Sequence, residues 1–183
     1  MSKTAKKALF LDRDGIINID YGYVSKIENF VFTQGIFELL RIFIDKGYLL
    51  FIVTNQSGIG RGFYTKNDFE LLNEWMLQAL KSKNIDIEGV YYCPHIPDAE
   101  CNCRKPKIGM IEEILTTHNL DLSHSWLIGD KKSDIELAIN ANIGHSIAIN
   151  ANTIKGAEYQ FSSIKECLSF FQETHSALAV NID

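Results

Sequence analysis

The chain has 183 residues, 46% of them hydrophobic, which suits one compact domain with a sizeable core. Lys and Arg total 18 against 23 Asp and Glu, a net charge of −5 that argues against a nucleic-acid partner held by the overall field. Apolar runs such as residues 48–53 fall far short of the roughly 20 residues of a spanning helix, and the opening Met-Ser-Lys-Thr-Ala-Lys-Lys leads into a run too short for a signal-peptide core, so a cytoplasmic protein with no membrane partner is expected.

Taken in chain order, Ala8–Leu11 is a short buried-strand candidate that runs into the polar turn Asp12-Arg13-Asp14-Gly15. Residues 35–46 place apolar side chains at helical spacing, with Gly47 as a natural stop. Residues 48–53 form the next strand and end in Thr54-Asn55-Gln56-Ser57-Gly58. Thr65 opens a helix to about Lys83, with Asp68 as its capping acid. A short strand over 90–92 leads into a cysteine-rich loop, 93–105, and a helix follows over 109–118. Residues 125–128 are a strand ending in Gly129-Asp130, then a helix spans roughly 132–142. His145–Ile149 is the last strand, and 163–173 form an amphipathic tail helix. Strand and helix alternate with no repeat or linker, which predicts one α/β domain over residues 1–183, a Rossmann-like parallel sheet with helices on both faces. In such sheets ligands sit beyond the carboxyl ends of the strands, where this chain carries Asp12, Thr54, Cys93 and Asp130.

Those residue types suit one chemistry. A carboxylate can split phosphate-ester hydrolysis into two steps by forming an aspartyl-phosphate. A second acid two residues on can protonate the leaving oxygen and later deprotonate water. Asp12 and Asp14 supply both on one turn, and Gly15 lets the backbone curl beneath a phosphate. Thr54-Asn55 offers a hydroxyl and N–H groups for phosphoryl oxygens, and Lys105 offers a cation. Asp130 and Asp134 add carboxylates for an oxygen-preferring cation such as Mg²⁺. An ordinary polar turn capping the sheet is the bland reading of Asp12 to Gly15 alone.

Cys93-x-His95 and Cys101-x-Cys103 place three thiols and one imidazole inside eleven residues. Four N/S ligands match a closed, structural Zn²⁺ site that would pin the loop and deliver Arg104 and Lys105. The alternatives are coincidental thiols or a disulfide between Cys93 and Cys101. The fourth cysteine, Cys167, lies on the apolar side of the tail helix and reads as a small buried hydrophobe.

The set Asp12-x-Asp14-Gly15, Thr54-Asn55, Lys105 and Gly129-Asp130-x3-Asp134 resembles the four motifs of the haloacid dehalogenase superfamily of phosphatases, in order and in placement at strand ends. The closer resemblance is to the branch containing heptose bisphosphate phosphatases and histidinol-phosphatases. It is carried by Phe10-Leu11-Asp12-Arg13-Asp14-Gly15, Gly22-Tyr23, Thr54-Asn55-Gln56-Ser57-Gly58-Ile59, Arg61-Gly62, Tyr91-Tyr92-Cys93-Pro94-His95, Cys101-x-Cys103-Arg104-Lys105-Pro106 and Gly109-Met110. The resemblance implies Asp12 as nucleophile, Asp14 as general acid/base, and Thr54 and Lys105 as stabilisers of the transferring phosphoryl. It places Mg²⁺ between the Asp12 carboxylate, the Asp14 main-chain carbonyl and Asp130, and Zn²⁺ on Cys93, His95, Cys101 and Cys103. It implies substrate contacts from Arg13, Asp20, Tyr21, Gly22, Tyr23, Asn55, Gln56, Ser57, Arg104 and Lys131.

The activity implied is removal of the 7-phosphate of a heptose 1,7-bisphosphate in ADP-heptose and lipopolysaccharide core synthesis, by a monomer without a large cap domain. Histidinol phosphate is the alternative substrate, and an inactive phosphosugar-binding module is the alternative of another class. The short loop between His95 and Cys101 and the varied Lys131-Lys132-Ser133 depart from the branch's pattern, which bears on substrate rather than on chemistry. His118, His124, His145 and His175 read as surface or helix-end residues, Phe32, Phe37, Phe43, Phe69, Trp75 and Trp126 as core, and Lys3, Lys6 and Lys7 as a solvated run.

Overall fold

In β1 (Ala8–Leu11) every side chain is buried: Ala8 and Phe10 join one apolar cluster, and Leu9 and Leu11 join another on the opposite face. A strand covered on both sides needs an unbroken apolar run rather than an alternating one, which is why the strands stand out in the sequence. The computed structural model describes residues 4–173, so the readings of Lys3 and His175 lie outside the described residues.

Six parallel strands lie in the order β3-β2-β1-β4-β5-β6. They are β1, β2 (Leu49–Asn55), β3 (Gly89–Cys93), β4 (Trp126–Gly129), β5 (His145–Ile149) and β6 (Tyr159–Phe161). Helices α1 (Ile36–Asp45), α3 (Lys66–Ser82) and α6 (Ile164–Glu173) pack on one face through residues such as Leu39, Met76 and Phe171. Helices α4 (Gly109–Leu115) and α5 (Lys132–Asn140) cover the other through Ile111, Ile114 and Leu137. The chain leaves β1 toward β2 and β3, then crosses back to β4 on the other side. That reversal opens a crevice between the carboxyl ends of β1 and β4.

Local signals set most boundaries. Thr65 accepts from Asp68 N and its own N–H donates to Asp68 Oδ2, a reciprocal cap at the expected start of α3. Gly47, at φ 79, follows the end of α1. Several expected bounds shift. Strand β2 runs on through Thr54 and Asn55, which pair with Tyr92 and Cys93 of β3. Helix α4 stops at Leu115, because the Thr116 and Thr117 hydroxyls donate back to the Glu113 and Ile114 carbonyls and close the chain into a turn. Helix α5 ends at Asn140, with Asn142 left-handed at φ 54. The one-turn helix α2 (Ser57–Gly60) and the three-residue strand β6 were not anticipated. Cys167 is fully buried, as its position on α6 implied.

Candidate active site

Asp12 extends the pairing of β1, its N–H donating to Ile128 O of β4 at 3.0 Å. The next turn folds tightly, with Ile17 N on Arg13 O at 2.8 Å, and it brings Gly15 against Asp130. Gly15 sits at φ +90, and a Cβ there would lie 2.5 Å from Asp130 Oδ2. Only glycine serves both demands, a left-handed backbone and close approach to a carboxylate.

Lys105 is the cation of this crevice. Its Nζ lies 3.0 Å from Asp12 Oδ1 and 2.6 Å from Asp134 Oδ1, and it donates to Val53 O at 2.8 Å. Burial works against the ammonium, but the Asp12 and Asp134 charges outweigh it and raise its pKa. The backbone of Lys105 is clamped from β2: Lys105 N donates to Asn55 Oδ1 at 3.0 Å, and Asn55 Nδ2 donates to Lys105 O at 3.3 Å. The Asn55 amide thus copies a strand neighbour, and both its polar atoms are engaged with the protein.

Asp14 is held by a different set. Arg13, fully buried, donates Nε to Asp14 Oδ2 and Nη2 to Oδ1, and Nη2 also reaches Val24 O at 2.6 Å. Asn18 Nδ2 and Gln56 Nε2 donate to the same carboxylate at 3.0 and 2.9 Å. Burial raises the Asp14 carboxyl, but the Arg13 charge and these hydrogen bonds win and hold it below the usual range.

Asp12, Asp130 and Asp134 each turn one carboxylate oxygen into a group whose atoms all lie within 4.8 Å of one another. Burial pushes the Asp130 carboxyl up to about 7, the Asp12 charge adds to this, and its Oδ1 is buried with no hydrogen-bond partner. Burial likewise raises Asp12 against the pull of Lys105. Asp134 is engaged on both oxygens, with Lys105 on Oδ1 and the Lys131 N–H on Oδ2 at 2.9 Å. Hard oxygens, an orphaned acceptor and an uncompensated negative charge fit a bound Mg²⁺.

Above this floor lies a cavity of about 330 Å³ lined by Asp14, Asp20, Gly22, Tyr23, Asn55, Gln56, Ser57, Tyr64, Arg104, Lys131 and Ser133. Asp20 takes the Gly22 N–H at 2.8 Å and lies 3.2 Å from Lys131 Nζ. Opposite charges on the Asp20 turn and at the start of α5 therefore meet across the mouth.

The cysteine–histidine loop is compact. Cys93 Sγ lies 3.7 Å from Cys101 Sγ and 3.5 Å from His95 Nδ1, and Cys103 Sγ lies 3.3 Å from His95 Nδ1. Tetrahedral Zn–S and Zn–N bonds of about 2.3 and 2.0 Å would separate ligands by roughly 3.5–3.8 Å. Cys93 Sγ stands at that spacing from both Cys101 and His95, Cys103 Sγ is slightly closer to His95, and all four atoms lie within 4.8 Å of one another. All three thiols are free, so the Cys93–Cys101 disulfide is not formed. Arg104 Nη1 donates to His95 O at 3.3 Å, tying the loop to the residue beside Lys105.

Comparison with known proteins decides the family. A D-glycero-α-D-manno-heptose-1,7-bisphosphate 7-phosphatase of Campylobacter jejuni is 49% identical over 168 residues, covering 91% of this chain and 96% of that protein. A D-glycero-β-D-manno-heptose-1,7-bisphosphate 7-phosphatase of Helicobacter pylori is 44% identical over 172 residues, 92% of this chain and 99% of that one. The chain belongs to the haloacid dehalogenase-like phosphatases. A HAD-hydrolase-like family model matches residues 102–161. The crystal structure of a D,D-heptose 1,7-bisphosphate phosphatase from B. bronchiseptica, complexed with magnesium and phosphate, superposes with a TM-score of 0.77. It is 22% identical, with 91% of this chain and 98% of that chain covered, and so it bears on the fold. Phosphatases of this family are phosphomonoester hydrolases that use Mg²⁺. No helix among the described residues is long and apolar enough to cross a membrane.

The crevice gathers most of the residues singled out from sequence. Asp12, Asp14, Lys105 and Asp130 converge, and Asp20, Gly22, Tyr23, Ser57, Arg104 and Lys131 line the cavity. Tyr21 does not join them: it is 64% exposed and lines a neighbouring hollow with Glu28 and Val31. Arg13 is sealed beneath Asp14, and Gln56, which reaches the cavity wall, is buried with its amide held by Asp14 and Thr54. Tyr64, whose hydroxyl donates to Gln56 Oε1 at 2.6 Å, was not singled out from sequence, whereas Asp134, named there with Asp130 as a carboxylate for the cation, joins the acidic group. Nothing in the string Phe63-Tyr64-Thr65 marks Tyr64, whereas Asp134 was visible as the last acid of its motif.

Proposed function

We propose that this protein is a cytoplasmic, monomeric, Mg²⁺-dependent phosphomonoesterase that removes the 7-phosphate of D-glycero-D-manno-heptose 1,7-bisphosphate, on the route to ADP-heptose and the lipopolysaccharide core. The observation that carries this reading is the buried junction of Asp12, Lys105, Asp130 and Asp134 under a cavity with Arg104 and Lys131 at its wall. Asp12, Asp130 and the main-chain carbonyl of Asp14 would hold Mg²⁺, which would supply the charge that offsets repulsion between carboxylate and phosphate.

The chain's own groups then divide the work. The Arg13 N–H and Lys105 Nζ both hold Asp12 Oδ1, leaving the other oxygen to attack phosphorus. As the ester P–O bond breaks, the leaving alkoxide takes a proton from Asp14. Asp14 then takes a proton from water, water attacks the aspartyl-phosphate at phosphorus, and Asp12 is restored with release of phosphate. Arg13 keeps Asp14 ionised, which suits the second half; the first half requires Asp14 to take up a proton against Arg13. Lys105 and the Thr54 hydroxyl stabilise charge on the phosphoryl oxygens. Arg104 and Lys131 pair with the second phosphate, and the Asp20–Tyr23 turn and Ser57 meet the sugar. Cys93, His95, Cys101 and Cys103 would hold Zn²⁺, which would pin the loop that carries Arg104 and Lys105.

Phosphate release from a substrate panel tests this reading. The panel holds both anomers of heptose 1,7-bisphosphate, since the two relatives' names differ in anomer, together with heptose 7-phosphate and histidinol phosphate. Loss of the second phosphate should lower kcat/KM at least tenfold, the cost of one charge-assisted contact of about 1.4 kcal/mol or more. Higher kcat/KM for histidinol phosphate would refute the substrate.

A further inference from the structure

Gln56 sits among groups that dictate which way its amide points. On one side is Asp14 Oδ2, an acceptor only, 2.9 Å from Gln56 Nε2. On the other is Arg13 Nη2, a donor only, 3.4 Å from Oε1. The amide therefore faces its NH₂ to Asp14 and its oxygen to Arg13. The same NH₂ reaches Thr54 Oγ1 at 2.8 Å, so Thr54 accepts there and its own hydroxyl proton is free to point elsewhere. The strongest hold on the amide oxygen is Tyr64, whose hydroxyl lies 2.6 Å from Oε1 and, with Arg13 already donating, must donate as well.

We propose that Tyr64 is a positioning residue for phosphoryl transfer, locking the Gln56 amide so that Thr54 keeps its proton for a phosphoryl oxygen. The inference rests on the phosphatase reading and deepens it. Were the amide free to turn over, its oxygen would face the Asp14 carboxylate, and Thr54 would spend its proton on Gln56. The phenol thus reinforces, with the shortest contact on the amide oxygen, the direction of two hydrogen bonds at the reacting groups. Tyr64 is 7% exposed and burial pushes its pKa up to about 12, so the phenol stays protonated as a donor. Its ring is also built in: a Cβ at Gly58 would lie 2.1 Å from Tyr64 Cε1, so glycine there makes room for it.

The test is Tyr64→Phe, which removes the hydroxyl and keeps the ring, beside Gln56→Met and the double variant. Each is assayed with heptose 1,7-bisphosphate and with p-nitrophenyl phosphate, and each is checked by thermal melting. Tyr64→Phe should lower kcat about three- to tenfold on both substrates, the usual worth of one hydrogen bond, with KM within about twofold and melting unchanged. In the Gln56→Met background the same change should cost less than about twofold. Unchanged kcat, a loss confined to KM, or losses that multiply in the double variant would each overturn the proposal. Turnover of p-nitrophenyl phosphate without turnover of the bisphosphate would sink the substrate while leaving Tyr64 testable. A wild-type protein that hydrolyses neither sinks the phosphatase reading itself.

Discussion

Replacing Lys105 with Met keeps most of the buried stem and removes the charge. Its Nζ stands 3.0 Å from Asp12 Oδ1 and 2.6 Å from Asp134 Oδ1, in a place where all three side chains are more than nine-tenths buried. At an effective dielectric of about 20, the two attractions amount to roughly 12 kcal/mol, most of which offsets the desolvation of the ions themselves. What remains measurable is the penalty of stranding carboxylates beside Asp130, whose own carboxyl burial already pushes up to about 7. Breaking a buried pair from one side costs about 3–5 kcal/mol, which for a chain of this length lowers the melting temperature by about 6–20 °C. Differential scanning fluorimetry in magnesium-free buffer reads this directly. Saturating Mg²⁺ should recover more stability in Lys105→Met than in the wild type, because a cation then replaces a cation. Steady-state turnover should fall by at least about 10³, comparable with losing a transition-state charge contact. A melting temperature within about 2 °C of wild type in metal-free buffer would refute the assignment of Lys105 as the counter-charge of the crevice.

Three further outcomes follow from the same geometry. Purified protein should carry one Zn²⁺ per chain by atomic absorption, and Cys103→Ala should lose the metal and most of kcat while phosphate binding by the Asp12 crevice weakens less. Asn55→Ala removes two hydrogen bonds to the Lys105 backbone and should lower kcat about tenfold with little change in KM, as measured by steady-state kinetics. Arg13→Gln removes the charge that keeps the Asp14 carboxyl low, so Asp14 titrates higher and the pH–rate profile moves to higher pH. Stability shifts the same way: a depressed carboxyl stabilises above its unfolded pKa and loses that share as pH falls through its folded pKa, so the variant loses stability at neutral pH.

The framework was legible because doubly covered strands must be apolar throughout. Ala8–Leu11 and the run ending at Thr54 announced themselves, and the polar residues just beyond them could only sit at the sheet's mouth. The zinc-type cluster was legible for a related reason, since Cys93, His95, Cys101 and Cys103 are local in sequence and their spacing survives folding. Strand β6 carried too little signal: Tyr-Gln-Phe is three half-buried residues, and its order comes from pairing with β5. The roles of Asn55, Gln56 and Tyr64 were illegible because they depend on partners across the fold. Asn55 acts on Lys105, fifty positions away, and Gln56 on Asp14, forty-two positions away. An amide read from sequence looks like a substrate contact; only its neighbours show that Gln56 spends its donors on Asp14 and Thr54 and its oxygen on Tyr64.

Carriage of the phosphoryl group by the Asp12 carboxylate can be tested by chemical trapping. Quenching turnover with acid and reducing with borohydride would convert an aspartyl-phosphate to homoserine at the phosphorylated position, which peptide mapping by mass spectrometry locates. Homoserine at position 12, dependent on substrate and absent from Asp12→Asn, is the expected result. Intact aspartate at position 12 in Asp14→Asn incubated with p-nitrophenyl phosphate, whose nitrophenolate leaves without a proton so that only the second half-reaction stalls, would contradict it.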